Sequence, residues 1–203
     1  NVTPTAGKTV GFNSDADGLE ATFSGGAMVF ISKSTASSSS TISFTSGIDS
    51  TYKEYVFIFN NIHPSGDDVV FSFQASTDGG SNYNTTATTT FFRAQHREND
   101  SATALSYETA HDEAQTTGFI DIDASIGNDS DQSTSGILHL FNPSSTTFVK
   151  HFLSESNSIF SSDGTSNTFV GGYFNTTSAV NAVQFKMSSG NIDAGTITLY
   201  GIN

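Results

Sequence analysis

Several segments of the chain place hydrophobic residues at alternating positions, which is the pattern of β-strands. The clearest is Lys53–Asn60, which carries three aromatic residues on one side and Val56 and Ile58 on the other. Because both sides are apolar, we expect this strand at the centre of a sheet that is covered on both faces.

The segment Val69–Ala75 alternates differently, with Ser72 and Gln74 between its apolar residues, so it is predicted to expose one face to water. Further strands are predicted at Thr88–Ala94, Phe169–Phe174, Val183–Met187 and Thr196–Ile202. Turn residues separate these segments every ~8–12 positions, a spacing typical of β-sandwiches and barrels.

A hairpin is predicted from Gly136–Phe141 and Phe148–Leu153, joined by a turn that contains Pro143. Pairing of Asn142 with Thr147 would place Phe141 opposite Phe148, and Leu138 opposite His151. In that register His139 and His151 point to opposite faces of the sheet, so they could not share a metal ion.

These patterns predict an all-β, jelly-roll-like antiparallel β-sandwich over residues 41–203, with an irregular N-terminal arm. Residues 1–40 are interpreted as the arm, which contains a short strand at Met28–Ile31 and a serine-rich linker at Ser34–Ser40. The stretch His96–Ser133 is predicted to form long loops with one or two short strands.

Several of the predicted strands are apolar on both faces, whereas a lone sandwich buries one face of each strand. The surplus apolar surface must be covered by the N-terminal segment, by loops or by another subunit. We therefore expect copies of the chain to associate as a homo-oligomer.

The composition is acidic, with 20 Asp and Glu against 7 Lys and Arg and a formal net charge of −13. Such a chain repels phosphate backbones and anionic lipid, so neither nucleic acid nor insertion into a membrane is expected. No run approaches the ~20 apolar residues of a membrane span. The absence of cysteine excludes disulfides and thiolate metal sites as stabilising elements.

No motif in the sequence indicates catalysis, and we predict no catalytic, cofactor-binding or metal-ligating residues and no enzymatic activity. The Gly-x-Ser-x-Gly and His-Glu-x-x-His motifs are both absent. His96 and His111 are placed in loops, away from the predicted hairpin. A glycosidase would need two facing carboxylates, and sequence spacing does not show which of the available glutamates face each other: Glu54, Glu98, Glu108, Glu113 and Glu155.

Oxygen-rich segments keep Ca²⁺ open as an alternative to the expectation of no cofactor. They are Asp15–Gly18, Asp121–Asp123 and Asn128–Asp131, and none follows the helix-loop-helix calcium pattern. Solvated turn residues are the preferred explanation of these segments, because Asp and Asn are ordinary turn formers. Aromatic residues that could stack on sugar rings, instead of packing in the core or at its rim, are Tyr52, Tyr83, Phe92, Tyr107 and Tyr173.

A set of longer strings adds a family resemblance that covers about residues 41–203. The strings are Phe44–Tyr55 (FTSGIDSTYKEY), Asn61–Pro64 (NIHP), Ser76–Tyr83 (STDGGSNY), Leu138–Pro143 (LHLFNP), Phe174–Thr177 (FNTT) and Val183–Ile197 (VQFKMSSGNIDAGTI). Together they resemble a family of structural proteins of marine and cyanobacterial tailed bacteriophages. The resemblance implies a jelly-roll-like sandwich on the virion exterior, as a capsid decoration or a component of a tail or tail fibre.

We therefore expect a non-enzymatic outer virion structural protein, located on the extracellular particle. Its expected partners are copies of itself and other capsid or tail proteins. The first alternative is a receptor-recognition module whose loops at His96–Ser133 bind host surface glycan. The second alternative is a polysaccharide depolymerase.

Overall fold

The computed structural model describes residues 9–12, 19–22 and 27–203, the first two ranges as backbone strands only. This part of the chain contains no helix that could cross a bilayer. Its strands are β1 (Thr9–Phe12), β2 (Leu19–Thr22), β3 (Met28–Thr35), β4 (Ile42–Phe44), β5 (Glu54–Pro64), β6 (Val69–Ser76), β7 (Ala87–Arg97), β8 (Thr103–Tyr107), β9 (Ile120–Ile126), β10 (Thr134–Phe141), β11 (Lys150–Ile159), β12 (Gly164–Phe174), β13 (Ala182–Met187) and β14 (Ile192–Ile202).

Two antiparallel sheets form a sandwich, as the hydrophobic pattern predicts. The large sheet has eight strands in the order β3-β14-β5-β10-β11-β12-β7-β8, and the small sheet has four in the order β4-β13-β6-β9. β1 and β2 form a separate two-stranded sheet. From β3 to β6 the chain alternates between the large and the small sheet, a connectivity compatible with a jelly roll.

The core between the sheets is built largely from phenylalanine. On β5, Phe57 and Phe59 are fully buried, and the strand lies at the centre of the large sheet, between β14 and β10, as predicted. Phe73 of β6 contacts the rings of Phe152 and Phe174 from the large sheet at centroid distances of 5.1 and 5.8 Å. These contacts join the two sheets. The rings meet edge-on, which is a geometry that aromatic pairs prefer to a face-to-face sandwich.

The segment interpreted as a short strand and linker is part of the sandwich from Met28 onward. Strand β3 is longer than predicted and pairs along its length with the C-terminal strand β14. The serine-rich stretch that follows is not a free linker, because Ala36 and Ser38 donate backbone hydrogen bonds to Gly195 and Asp193. The rest of the predicted arm, apart from β1 and β2, lies outside the described residues.

The prediction that β6 exposes one face to water is wrong. Ser72 and Gln74 are 3% and 0% exposed. The chain between β8 and β9 covers this face, and the Gln74 side-chain amide donates to the backbone carbonyls of Thr117 and Gly118. Gln74 therefore faces the backbone of this segment and not solvent, and these backbone carbonyls satisfy the hydrogen bonds of its buried amide.

The predicted hairpin exists as β10 and β11, but its register is wrong by three residues. Leu140 pairs with Phe152, and Leu138 pairs with Ser154. The connecting loop is longer than predicted and leaves Phe148 68% exposed. The physical cause is Lys150, which is fully buried and donates through Nζ to the carbonyls of Phe148 and Thr176 at 2.9 and 3.0 Å. Burial lowers the pKa of this amine.

Candidate functional site

The side of the large sheet that faces away from the small sheet, called here the outer face, carries a row of paired residues that crosses seven strands. The pairings link Phe30, Tyr200, Val56, His139, Leu153, Gly171 and Thr90 in that order. These seven residues are called here the Leu153 row. Within it, Phe30 and Leu153 are 59% and 55% exposed. Large apolar side chains thus lie in solvent at the edge and near the middle of one sheet face.

A second row, the Phe169 row, runs beside the first on the same face. Its pairings link Thr198, Ile58, Ile137, Glu155, Phe169, Phe92 and Tyr107. Phe92 and Phe169 stack at a centroid distance of 5.1 Å with their planes 11° apart. Phe92 is 42% exposed and Tyr107 is 51% exposed. On β7, β8, β11 and β12 the two rows together expose an apolar and aromatic patch, whereas Val56 and Thr198 of the same rows are buried. Exposed patches of this kind mark interaction sites on soluble proteins.

A trough of about 450 Å³ crosses this surface above Gly171, between Leu153 and the Phe92–Phe169 stack. Gly171 has room for a side chain, since a Cβ there would contact only Leu153 Cδ2 at 3.3 Å and Thr90 Oγ1 at 3.7 Å. Its neighbour Gly172 does not, because a Cβ would lie 2.6 Å from the Phe152 ring and 2.7 Å from the Thr88 carbonyl oxygen. Packing thus requires glycine at 172 but not at 171, where glycine leaves the floor of the trough open.

His139 and His151 both lie on the outer face, so the prediction that they point to opposite faces is wrong. The corrected register pairs His139 with Leu153, two residues along the strand from His151. His139 Nδ1 lies 2.5 Å from Glu54 Oε1, and its ring stacks on Phe141. Among the described residues, no group of three or more His, Asp or Glu side chains could hold a metal ion.

Of the three oxygen-rich segments considered for Ca²⁺, the two that the structure describes form no metal-binding group. Asp121 contacts His111 Nδ1 at 2.8 Å, whereas Asp123 is buried and binds hydroxyl groups of the large sheet. At Asn128–Asp131 the chain forms a turn, in which the Gln132 amide donates to the Asp129 carbonyl. The segment Asp15–Gly18 lies outside the described residues.

The aromatic candidates for sugar stacking divide into two groups. Phe92, Tyr107 and Tyr173 belong to strands β7, β8 and β12 and lie on the outer face. Tyr52 packs against the core and against Tyr55, and Tyr83 is half-buried near Gly80. The exposed candidates therefore lie on a sheet surface and not in the loops of His96–Ser133, although Tyr107 falls within that stretch.

The glutamates do not form a pair in one cleft. Glu54 binds His139, and Glu155 lines the trough. Glu108 accepts from Ser106 Oγ at 2.6 Å and from Arg93 Nε at 3.1 Å, and these contacts hold its pKa below the usual range. Burial, together with nearby Asp121, raises the pKa of Glu113. Glu98 is exposed at the end of β7.

Sequence reasoning did not single out the two arginines of the chain, Arg93 and Arg97, which line one recess. They are four residues apart, so with Gln95 between them they occupy every second position of one strand and share a face. That spacing was the available signal. Which face they share, and what covers it, depends on the pairing of distant strands.

Comparison with protein-family models, with curated proteins and with solved structures found no match to this chain.

Proposed function

We propose that this protein is a non-enzymatic structural component that assembles with copies of itself through the outer face of the large sheet. One observation carries the proposal: Leu153, Phe92 and Tyr107 of the two rows are 55%, 42% and 51% exposed on the same face of the large sheet. Interfaces between subunits are enriched in aromatic residues at their centre and poor in charge. The exposed patch around Leu153 and Phe92 has the same aromatic character, and the charged residues of the described face include Lys33, Glu54 and Glu155.

The proposed location is the exterior of a tailed-phage particle, where the chain would contact other capsid or tail proteins. The support for this part is the resemblance of the strings over residues 41–203. A density map of an assembled particle from a phage that encodes this chain tests it. Density for the sandwich on the head or the tail is the expected result, and its absence from the complete particle contradicts the proposal.

The assembly is tested by replacing Leu153, which is 55% exposed in one copy, with aspartate. A folded monomer should tolerate the change within about 0.5 kcal/mol, because the side chain is largely in solvent. A charge buried in an interface without a partner costs several kcal/mol, so the oligomer should dissociate. Light scattering after size-exclusion chromatography measures the mass.

The control is Ser43→Asp, which adds the same charge to an exposed position of β4 on the opposite side of the sandwich. We expect this variant to keep the mass of the unmodified oligomer. If the unmodified protein is a monomer at micromolar concentration, the proposed self-assembly is contradicted. An oligomer that survives Leu153→Asp would place the contact on another surface.

A second candidate function is recognition of a neutral host glycan in the trough. The observation that favours it is the open floor at Gly171 beside the stacked rings of Phe92 and Phe169. The volume of about 450 Å³ falls within the range of small-molecule sites. Thr90 and Glu155 supply polar groups at the trough, and aromatic rings supply apolar faces for sugar C–H groups.

For this candidate, Gly171→Ala is expected to keep or raise stability by about 0.5–1 kcal/mol, because alanine restricts the unfolded chain. The same change should abolish binding on an array of neutral glycans. Phe148→Ala, which removes an exposed aromatic ring outside the trough, should leave binding intact. An array without signal for the unmodified protein at high valency would exclude the candidate.

A further inference from the structure

A second recess, of about 380 Å³, lies on the inner face of the large sheet. The small sheet ends at β9, which lies opposite β11 and β12, whereas the large sheet continues to β7 and β8. Ala87 and Phe91 of β7 still pack in the core, so the part of the inner face that lies beyond the small sheet begins at Arg93. Its alternating positions carry Arg93, Gln95 and Arg97, and Ser125 and Phe160 lie across the recess.

Both arginines of the chain line this recess, in a protein with a formal net charge of −13. The Arg93 side chain is 13% exposed, and its Nε donates to Glu108 Oε1. Its Nη1 is buried and has no hydrogen-bond partner among the described residues. A buried guanidinium N–H without an acceptor is costly, so an oxygen atom that reached Nη1 would stabilise this part of the recess.

Arg97 is held in place by different contacts. Its Nη1 donates to the Ser162 carbonyl at 3.2 Å, and its guanidinium carbon lies 5.6 Å from the centroid of the Phe160 ring. These contacts hold the planar group in place, and its other N–H donors have no hydrogen-bond acceptor in the part of the chain that the structure describes. Two guanidinium groups thus line one polar recess, and a guanidinium group can present paired donors that match the spacing of two oxygens of an oxyanion.

We propose that this recess binds a small molecule through an oxyanion group of the carboxylate, sulfate or phosphate type, held between Arg93 and Arg97. The recess of about 380 Å³ is larger than an oxyanion alone, so it has room for a ligand with a further portion about as large as a sugar ring. Asp68 lies exposed at the recess and opposes an anion. This site is independent of the outer face and of the proposed assembly.

The test is titration of the isotope-labelled protein with sodium sulfate and with sodium galacturonate, followed through backbone amide signals at constant ionic strength set by sodium chloride. We expect saturable shifts at Ser125, Ala104 and Ser161, and none with neutral galactose. Sulfate binding alone would assign a tetrahedral anion, and galacturonate binding alone would assign a carboxylated ring. Either result supports the proposal, and no saturable shift with either probe overturns it.

Variants separate this site from general charge effects. Arg97→Gln should weaken binding about tenfold or more, because charge-assisted hydrogen bonds are lost. Lys33→Gln removes the same charge at the far edge of the large sheet and should leave binding unchanged. Asp68→Asn should tighten binding by about two- to fivefold. Equal affinity of Arg97→Gln and the unmodified protein would overturn the proposal even if anions bind elsewhere.

Discussion

Replacing Phe73 with alanine is expected to lower the free energy of unfolding by about 3–5 kcal/mol. Phe73 is fully buried on β6 and contacts the rings of Phe152, Phe174 and Phe185. The loss therefore combines the transfer free energy of a large apolar group with the cavity left between the sheets. Because these partners come from both sheets, the cavity would lie where the two layers meet.

Urea unfolding at neutral pH, followed by circular dichroism, measures the effect. The matched control is Phe148→Ala, which removes the same atoms from a side chain that is 68% exposed. We expect this control to change stability by less than about 0.5 kcal/mol under conditions that keep the chain monomeric. A similar loss for both variants would contradict the position of Phe73 at the centre of the core.

Asp123 provides the second large effect, because it is a fully buried carboxyl group. It accepts hydrogen bonds from Thr134 Oγ1, from Ser158 Oγ at 3.0 Å and from the amide of Ala124 at 2.8 Å. These bonds lower its pKa, but desolvation by burial is larger and raises it above the ordinary value. The side chain thus joins the two sheets through a polar contact that is most stable when the acid is protonated.

A pKa that is raised on folding stabilises the protein at pH values below the pKa of the unfolded chain. That stability is lost as the pH rises through the higher folded-state pKa. Asp123→Asn imitates the protonated acid, so it should match the stability of the unmodified protein at pH values below the unfolded-state pKa. It should become the more stable of the two as the pH rises through the folded-state pKa. Where one proton is involved, the difference grows by at most about 1.4 kcal/mol per pH unit.

Urea unfolding of both proteins between pH 3 and 8 measures the difference directly, and the titration of other carboxylates cancels in it. Parallel stability curves would show that the ionisation of Asp123 does not differ between the folded and unfolded states. A variant that is less stable at every pH would show that the carboxylate itself, and not its charge, is required by the surrounding hydroxyl groups.

Local patterns predicted the strands of the core well where both faces of a strand are apolar. The segment from Tyr55 to Phe59 is central and buried because its side chains leave no polar face to expose. Strand β6 shows the opposite case. Its serine and glutamine suggested a wet face, yet a distant loop covers Gln74 and satisfies its amide. The alternation of polar and apolar residues in β6 cannot predict that residues 109–119 will cover this face.

The hairpin of β10 and β11 shows the same division within one motif. Its two segments were recognisable, but the register was not, because the buried amine of Lys150 needs the carbonyls of Phe148 and Thr176. One of these acceptors lies 26 positions along the chain. The three-residue difference between the predicted and observed register moved His151 to the face that carries His139 and Leu153.

The sequence by itself determined an acidic, cysteine-free, all-β chain with more apolar strand surface than a lone sandwich covers, because composition and alternation are local properties. Only the tertiary structure decided that exposed apolar side chains lie around Gly171 on the outer face, and that Arg93 and Arg97 line one recess beyond the edge of the small sheet. Both features depend on which strands are neighbours, and strand order is fixed by contacts between residues far apart in the chain.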